Sequence, residues 1–89
     1  MNKQEFKRII DEGISRRKNF LVVKIETEGS PKPEIIINPA ENFYQKVHYY
    51  NTAYNDNMEL IKAKESGKLI KITDALMTSN LVDLSWFAY

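Results

Sequence analysis

Cysteine is absent from this chain, so neither a disulfide nor a thiolate metal site can form. Glycine is scarce, and Gly13, Gly29 and Gly67 are too far apart for a glycine-rich phosphate loop. His48 is the only histidine, which leaves scattered carboxylates as the main metal ligands. Neither a G-x-S-x-G nor an H-E-x-x-H motif occurs. We therefore expect no catalytic residue, no metal site and no cofactor, and we predict a protein that is not an enzyme.

Long apolar runs are also missing. The longest, FLVV and III, are far too short to span a bilayer. The N-terminal stretch MNKQEFKRIIDEG contains acidic residues, unlike the apolar stretch of a signal peptide. Together with the lack of cysteine, these features predict a cytoplasmic protein that does not associate with membranes.

Charge of one sign is not in excess, because 13 basic and 12 acidic residues give a net charge of +1. Such a chain has no overall attraction to nucleic acid. One local cluster departs from this balance, at Arg16, Arg17 and Lys18. These three side chains could contact phosphates, although Asp11 and Glu12 lie close by. Binding of single-stranded nucleic acid is therefore kept as the alternative function.

The 89 residues, of which 43% are hydrophobic, predict one globular domain covering 1–89. Asn2 and Glu5 have the spacing of a capping pair, and apolar residues at helical spacing follow until about Ser15. The segments FLVVKIET and EIIIN are typical of strands, and EGSPKP between them is typical of a turn. This first half predicts a helix followed by an antiparallel hairpin.

The second half begins with NPAE, in which Asn38 could cap a helix, Pro39 could start it and Glu41 could complete a capping box. We expect a helix from Pro39 to about Tyr54. The stretch NDNME has oxygen ligands at alternate positions but lacks the rest of a calcium loop, so it indicates a turn.

Residues 58–66 fit either a helix that stops at Gly67 or the first strand of a hairpin formed by MELIKA and LIKIT. We favour the hairpin. The tail SNLVDLSWFAY fits a short capped helix or a last strand. The predicted fold is an α+β domain of the order helix–hairpin–helix–hairpin, whose antiparallel sheet is covered by helices on one face.

Aromatic residues are concentrated in FYQKVHYYNTAY, residues 43–54. Helical spacing places one stripe of this segment in the core, namely Phe43, Val47, Tyr50 and Tyr54. A second stripe is polar apart from one aromatic residue, and consists of Tyr44, His48, Asn51 and Asn55. This stripe is either a solvated helix face or a small recognition surface. Tyr49 lies between the two stripes.

The last residues, LSWFAY, are also aromatic and either dock into the core or contact a partner. The chain has more large aromatic residues than a small core comfortably buries. We therefore predict a protein-binding surface formed by Tyr44, Tyr49, Trp86, Phe87 and Tyr89, with homodimerisation as its simplest use.

The segment ENFYQKVHYYNTAYNDNMEL resembles a pattern in small uncharacterised phage and prophage proteins of low-GC Gram-positive bacteria. The matching positions are Glu41, Lys46, Tyr49, Tyr50, Ala53, Tyr54, Asn55 and Asp56. The resemblance implies a phage accessory protein and a strand after Asp56, and it carries over no activity. Combined with the residue pattern, it predicts a non-enzymatic interaction module that acts on a host or phage protein.

Overall fold

A computed structural model describes residues 1–88. The elements, in chain order, are α1 (Lys3–Ser15), β1 (Phe20–Thr27), β2 (Glu34–Pro39), a 3-10 turn (Ala40–Asn42), α2 (Phe43–Ala53), α3 (Ile61–Glu65), β3 (Ile70–Thr78), a second 3-10 turn (Leu81–Asp83) and α4 (Leu84–Phe87). The α+β class is therefore confirmed, with an antiparallel sheet as predicted.

Helix α1 begins and ends as its sequence predicts. The Asn2 side-chain oxygen accepts a hydrogen bond from the Glu5 backbone N–H at 2.8 Å, which satisfies one of the free donors of the first turn. At the other end, Arg17 adopts a left-handed conformation with φ of 56°, so the chain turns away towards β1.

The sheet has three strands in the order β2-β1-β3. In the central strand, Val23 lies opposite Ile36 of β2 and Ala75 of β3. Because side chains alternate along a strand, Leu21, Val23 and Ile25 share one face, and Val22 and Lys24 share the other. The first face carries the main core, where it packs against α1 and α2.

The expected second hairpin is wrong. Residues 61–65 form α3, and β3 pairs along its length with β1. A short remnant of the hairpin remains: the Leu60 N–H donates to the Ile70 carbonyl at 2.8 Å, and the Ile72 N–H donates to the Met58 carbonyl at 2.9 Å. The sequence after Leu60, IKAKE, consists mostly of strong helix formers, and Gly67 (φ 78°) follows the helix.

The expected cap of α2 by Asn38 is also wrong. Asn38 is a buried residue of β2, and α2 begins at Phe43 without a side-chain cap, after the 3-10 turn. The Asn38 amide instead donates to the Leu21 carbonyl and to the Tyr50 hydroxyl, both at 3.2 Å. A buried amide needs such partners, so these tertiary hydrogen bonds take the place of the cap that the local sequence predicts.

Helix α4 lies against the second sheet face. Lys24 lies on that face, and its ammonium donates to the Phe87 carbonyl at 3.4 Å and lies 6.0 Å from the Phe87 ring centroid. The prediction that helices cover one face therefore holds for α1 and α2, whereas α4 lies on the other. The tail is a short helix rather than a strand, begun by Asn80, whose side chain accepts from the Val82 N–H.

Candidate protein-interaction site

The four predicted contact residues that the structure describes do not form one surface. Tyr44 is 90% exposed on α2, Tyr49 is 46% exposed on the next turn of that helix and on a different side of it, and Trp86 is 60% exposed on α4. Phe87 is buried, so its side chain contributes to packing and is not accessible to a partner. Tyr89 lies outside the described residues. Of the four that the structure describes, only Tyr44 lines the groove described next.

That groove, which we call the α1–α2 groove, has a volume of about 580 Å³. Its lining comes from the second half of α1, the first 3-10 turn and α2, and consists of Ile10, Asp11, Ile14, Ala40, Phe43, Tyr44, Val47, His48 and Asn51. Both the volume and the mostly apolar lining are typical of sites that bind ligands or peptide side chains, which run to ~300–1,000 Å³.

Helices α1 and α2 contact each other near one end of the groove. The Lys3 ammonium donates to the carbonyls of Asn51 and Tyr54 at 2.8 and 2.6 Å, where a cation also favours the negative end of the α2 dipole. Next to this contact, Phe6 meets Tyr50 edge to face with centroids 5.6 Å apart. The groove lies beyond Phe6, where the buried Ile10 forms part of its lining.

The apolar part of the groove comes from side chains that are only partly used by the core. Phe43 and Val47 pack against the core but remain partly accessible, and Ile14 is 50% exposed. Ile14 is the last apolar residue of the α1 stripe, one turn beyond the buried Ile10. Sequence analysis recognised these residues only as the apolar positions of a helix and did not name Ile14 as a contact residue.

Two ionisable side chains, Asp11 and His48, line the groove from opposite helices. No carboxylate lies three or four positions from His48 in the sequence, and Asp11 comes from α1. Within residues 1–88, the two side chains form neither a hydrogen bond nor an ion pair. The described residues also hold no cluster of three metal-ligating side chains. The groove is therefore equipped for apolar contact beside a carboxylate, and it lacks an oriented proton-transfer pair.

Tyr49 has a packing role instead. Its ring meets Tyr50 and Tyr54 edge to face, with centroids 5.4 and 6.2 Å apart, and the Lys46 ammonium lies 6.0 Å from its centroid. The buried members of this cluster have shifted ionisation. Burial raises the pKa of Tyr54 to about 12, with smaller contributions from Tyr49, Tyr50 and Glu34. Burial also raises the pKa of Tyr50, against the effect of the hydrogen bond from Asn38.

The turn predicted at NDNME is confirmed. The Asn55 side-chain oxygen accepts from the backbone N–H groups of Asn57 and Glu59 at 2.9 and 3.0 Å, and its amide donates to the Glu59 carboxylate at 3.0 Å. Lys64 donates to the same carboxylate at 2.8 Å. The hydrogen bonds from Lys64 and Asn55 lower the pKa of Glu59. These oxygens are thus engaged in building the turn.

The basic cluster lies at the end of α1. Arg16 and Arg17 are exposed and Lys18 is partly exposed, and none of the three forms an ion pair in the described part of the chain. Arg16 and Lys18 line a shallow cleft of about 220 Å³ together with Glu12 and apolar residues of β3. No aromatic side chain lines this cleft.

No family model matches the chain, and no match was found among curated proteins or solved structures. Within residues 1–88, the helices are all too short or too polar to cross a bilayer.

Proposed function

We propose that the protein is a non-enzymatic module that binds another protein through the α1–α2 groove. The observation that supports this most is Tyr44, which is 90% exposed beside an apolar groove of about 580 Å³. Tyrosine is among the residue types that dominate binding energy at protein interfaces, above all where a pocket lies beside it. A solvated helix face would not need an apolar groove at that position.

The chemistry of the groove suits one kind of partner segment. An apolar side chain would contact Ile14, Phe43 and Val47, and its ring or chain would lie beside Tyr44. Asp11 is the carboxylate in the lining, and a Lys or Arg next to the apolar anchor would pair with it. We therefore propose a partner that presents an apolar residue followed or preceded by a basic one. The resemblance noted above makes a host or phage protein the natural source of such a segment.

The groove is a better candidate than the tail. Phe87 is buried, which leaves Trp86 as the exposed ring of α4 within residues 1–88. A single exposed ring on a four-residue helix gives a partner only a flat contact area. The groove gives it a concave apolar surface and the carboxylate of Asp11.

The test is a selection of random peptides displayed against the full chain, followed by NMR titration of the enriched peptides. We expect enriched sequences with an aromatic or aliphatic anchor beside a basic residue, and shift changes at residues 10–14 and 43–51. Tyr44→Ala should weaken binding at least about tenfold, the size of a moderate hot spot. Tyr49→Ala on the same helix is the matched control and should bind as the wild type does.

Two results would count against the groove. One is enrichment of peptides whose shift changes lie on α4 or at the basic cluster. The other is equal affinity of the Tyr44→Ala variant and the wild type. Unfolding curves of both variants would show that the comparison is made between folded proteins.

Binding of single-stranded nucleic acid through Arg16, Arg17 and Lys18 is the second candidate. The accessible cations support it, whereas Glu12 beside them and the lack of an aromatic ring in their cleft speak against it. Fluorescence titration with a labelled oligonucleotide at low salt decides the matter, because phosphate contacts would give an affinity that falls steeply as salt is added.

A further inference from the structure

The outer edge of β2 has no partner among the described residues. The strand pairs with β1 along one side only, since β2 is at the end of the strand order. Among the backbone hydrogen bonds that residues 1–88 form outside helices and strands, none involves positions 34–39. Half of the backbone N–H and C=O groups of β2 therefore point away from the sheet, where a further strand could pair with them.

Natural proteins usually protect such an edge, and β2 has little protection along its length. Lysines, internal prolines and bulges are the common devices. The central residues of β2 are Ile35, Ile36 and Ile37, and the pairing with β1 is regular without a bulge. Ile37 is 42% exposed although it is apolar and β-branched. The outer edge of β2 therefore has the properties of an edge that pairs with a further strand.

The sequence around this edge is close to a palindrome centred on Ile36. It is PEIIINP, residues 33–39. Position 33 and position 39 are both proline, positions 35 and 37 are both isoleucine, and only positions 34 and 38 differ, as glutamate and asparagine. An antiparallel pair of strands related by a two-fold axis through Ile36 would place identical or compatible residues opposite each other.

We propose that the occupant of this edge is a second copy of the same chain, paired antiparallel with Ile36 on the two-fold axis. The two three-stranded sheets then join into one sheet of six strands. Ile35 of each copy lies opposite Ile37 of the other, a β-branched cross-strand pair that stabilises antiparallel sheets. The carboxylate of Glu34 lies opposite Asn38, so no like charges meet.

The prolines determine the register. Pro33 and Pro39 lack a backbone N–H, so each would leave an acceptor of a partner strand unpaired if it lay opposite a residue in the middle of the ladder. With Ile36 at the centre, the prolines lie opposite each other at both ends, where the ladder stops. A centre at Ile35 or Ile37 would place one proline opposite an isoleucine. The palindrome therefore selects one register out of the three centred on an isoleucine.

The dimer would also cover apolar surface. Ile35 and Ile37 lie on the same sheet face as Val22, as the alternation along the paired strands requires. In the monomer α4 contacts this face at Lys24, while Ile37 remains exposed. Joining the two edges would bury Ile37 against Ile35 of the second copy. The α1–α2 groove lies between helices on the opposite face, so the dimer and the proposed groove partner would not compete.

Cysteine cross-linking tests the register directly, because the natural chain has no cysteine. Ile35→Cys and Ile37→Cys are prepared separately in the full chain and then mixed under mild oxidation. Directly opposite residues have Cβ atoms about 4.5–5.5 Å apart, close to disulfide reach, whereas diagonal neighbours are about 7–8 Å apart. We expect a disulfide-linked heterodimer in the mixture and several-fold less cross-linked product with either variant alone.

Sedimentation equilibrium tests the interface without cysteine. The wild-type chain should be a dimer, and Ile37→Lys should be a monomer, because a lysine on the edge disfavours pairing. Trp86→Ala is the control for an interface at the tail and should remain a dimer.

A wild-type monomer at high concentration would overturn the proposal, as would a dimer that survives Ile37→Lys but is lost in Trp86→Ala. Equal cross-linking in the mixture and in the single variants would exclude this register. Peptide binding in the groove is measured separately, so either proposal can fail alone.

Discussion

The Asn38 amide connects the sheet to α2, since it donates to the Leu21 carbonyl and to the Tyr50 hydroxyl, each at 3.2 Å. Asn38 and Tyr50 are each 2% exposed, so neither can exchange this bond for water. A buried amide without partners is costly, and this pair of bonds makes asparagine acceptable in an otherwise apolar core. The bond also fixes how α2 lies on β2.

Removing the two ends of this contact should have unequal effects. Tyr50→Phe keeps the ring and the Asn38–Leu21 bond, so the free energy of unfolding should fall by about 0.5–1.5 kcal/mol. Asn38→Ala removes both bonds and leaves the Tyr50 hydroxyl and the Leu21 carbonyl without this partner, at a cost of about 1–3 kcal/mol. Urea unfolding measures both. Equal losses would mean that the Tyr50 bond carries the whole effect.

Asn38 also illustrates which features the sequence could predict. Period-two and helical patterns located α1, β1, β2 and α2 within a few residues, because local periodicity reflects which face is buried. The prediction that Asn38 caps a helix was wrong because the local sequence does not distinguish a capping asparagine from one that forms buried hydrogen bonds. Its actual partners are Leu21 and Tyr50, which are distant in sequence.

The candidate site was less predictable than the fold. Tyr44 was predicted as a contact residue from its helix face, and it lines the groove. The other wall contains Ile14 and Asp11 of α1, a helix that is distant in sequence and that contacts the end of α2 through Lys3. No local pattern contains that contact. The prediction of a second hairpin was wrong for a similar reason. β3 pairs with β1 along its length, whereas the segment at 58–60 forms only isolated bridges.

Acid should weaken the turn at Asn55 through Glu59. The pKa of Glu59 lies below its ordinary value of 4.5 because Lys64 and Asn55 bond its ionised form. A lowered pKa means that the carboxylate stabilises the fold above its ordinary pKa, and that this contribution is lost as pH falls through the lowered value. Urea unfolding between about pH 6 and pH 2 should therefore show a shallower loss of stability in Glu59→Gln than in the wild type. Lys64→Ala should give the same flattening, and a slope unchanged in both variants would contradict the assignment.

Alkali should weaken the tyrosine cluster. Burial raises the pKa of Tyr54 to about 12, so the folded protein resists ionisation that the unfolded chain undergoes near 10. The stabilising contribution is complete below the unfolded pKa and is lost as pH rises from there towards the folded value. In absorbance titrations at about 295 nm, where tyrosinate absorbs, subtracting the curve of Tyr54→Phe from that of the wild type should leave a step with its midpoint near 12. A step near 10 would show that Tyr54 is solvated.

Helix α1 lies unusually close to β3 at one point, because Gly13 is buried and a Cβ added there would overlap the Met77 Cβ and Cγ. Gly→Ala in a helix interior usually stabilises by about 0.5–1 kcal/mol. At this position the sign should reverse, because the nearest atom is the Met77 Cβ, which a change of rotamer cannot move away. We expect Gly13→Ala to lower the free energy of unfolding by about 1–3 kcal/mol, the usual cost of overpacking.

Met77→Ala should not restore the stability of the Gly13→Ala variant, since alanine keeps that Cβ. Lys7→Ala, at an exposed site of the same helix, is the control and should change stability little. A stabilised Gly13→Ala variant in urea unfolding would mean that α1 can move away from β3 without loss.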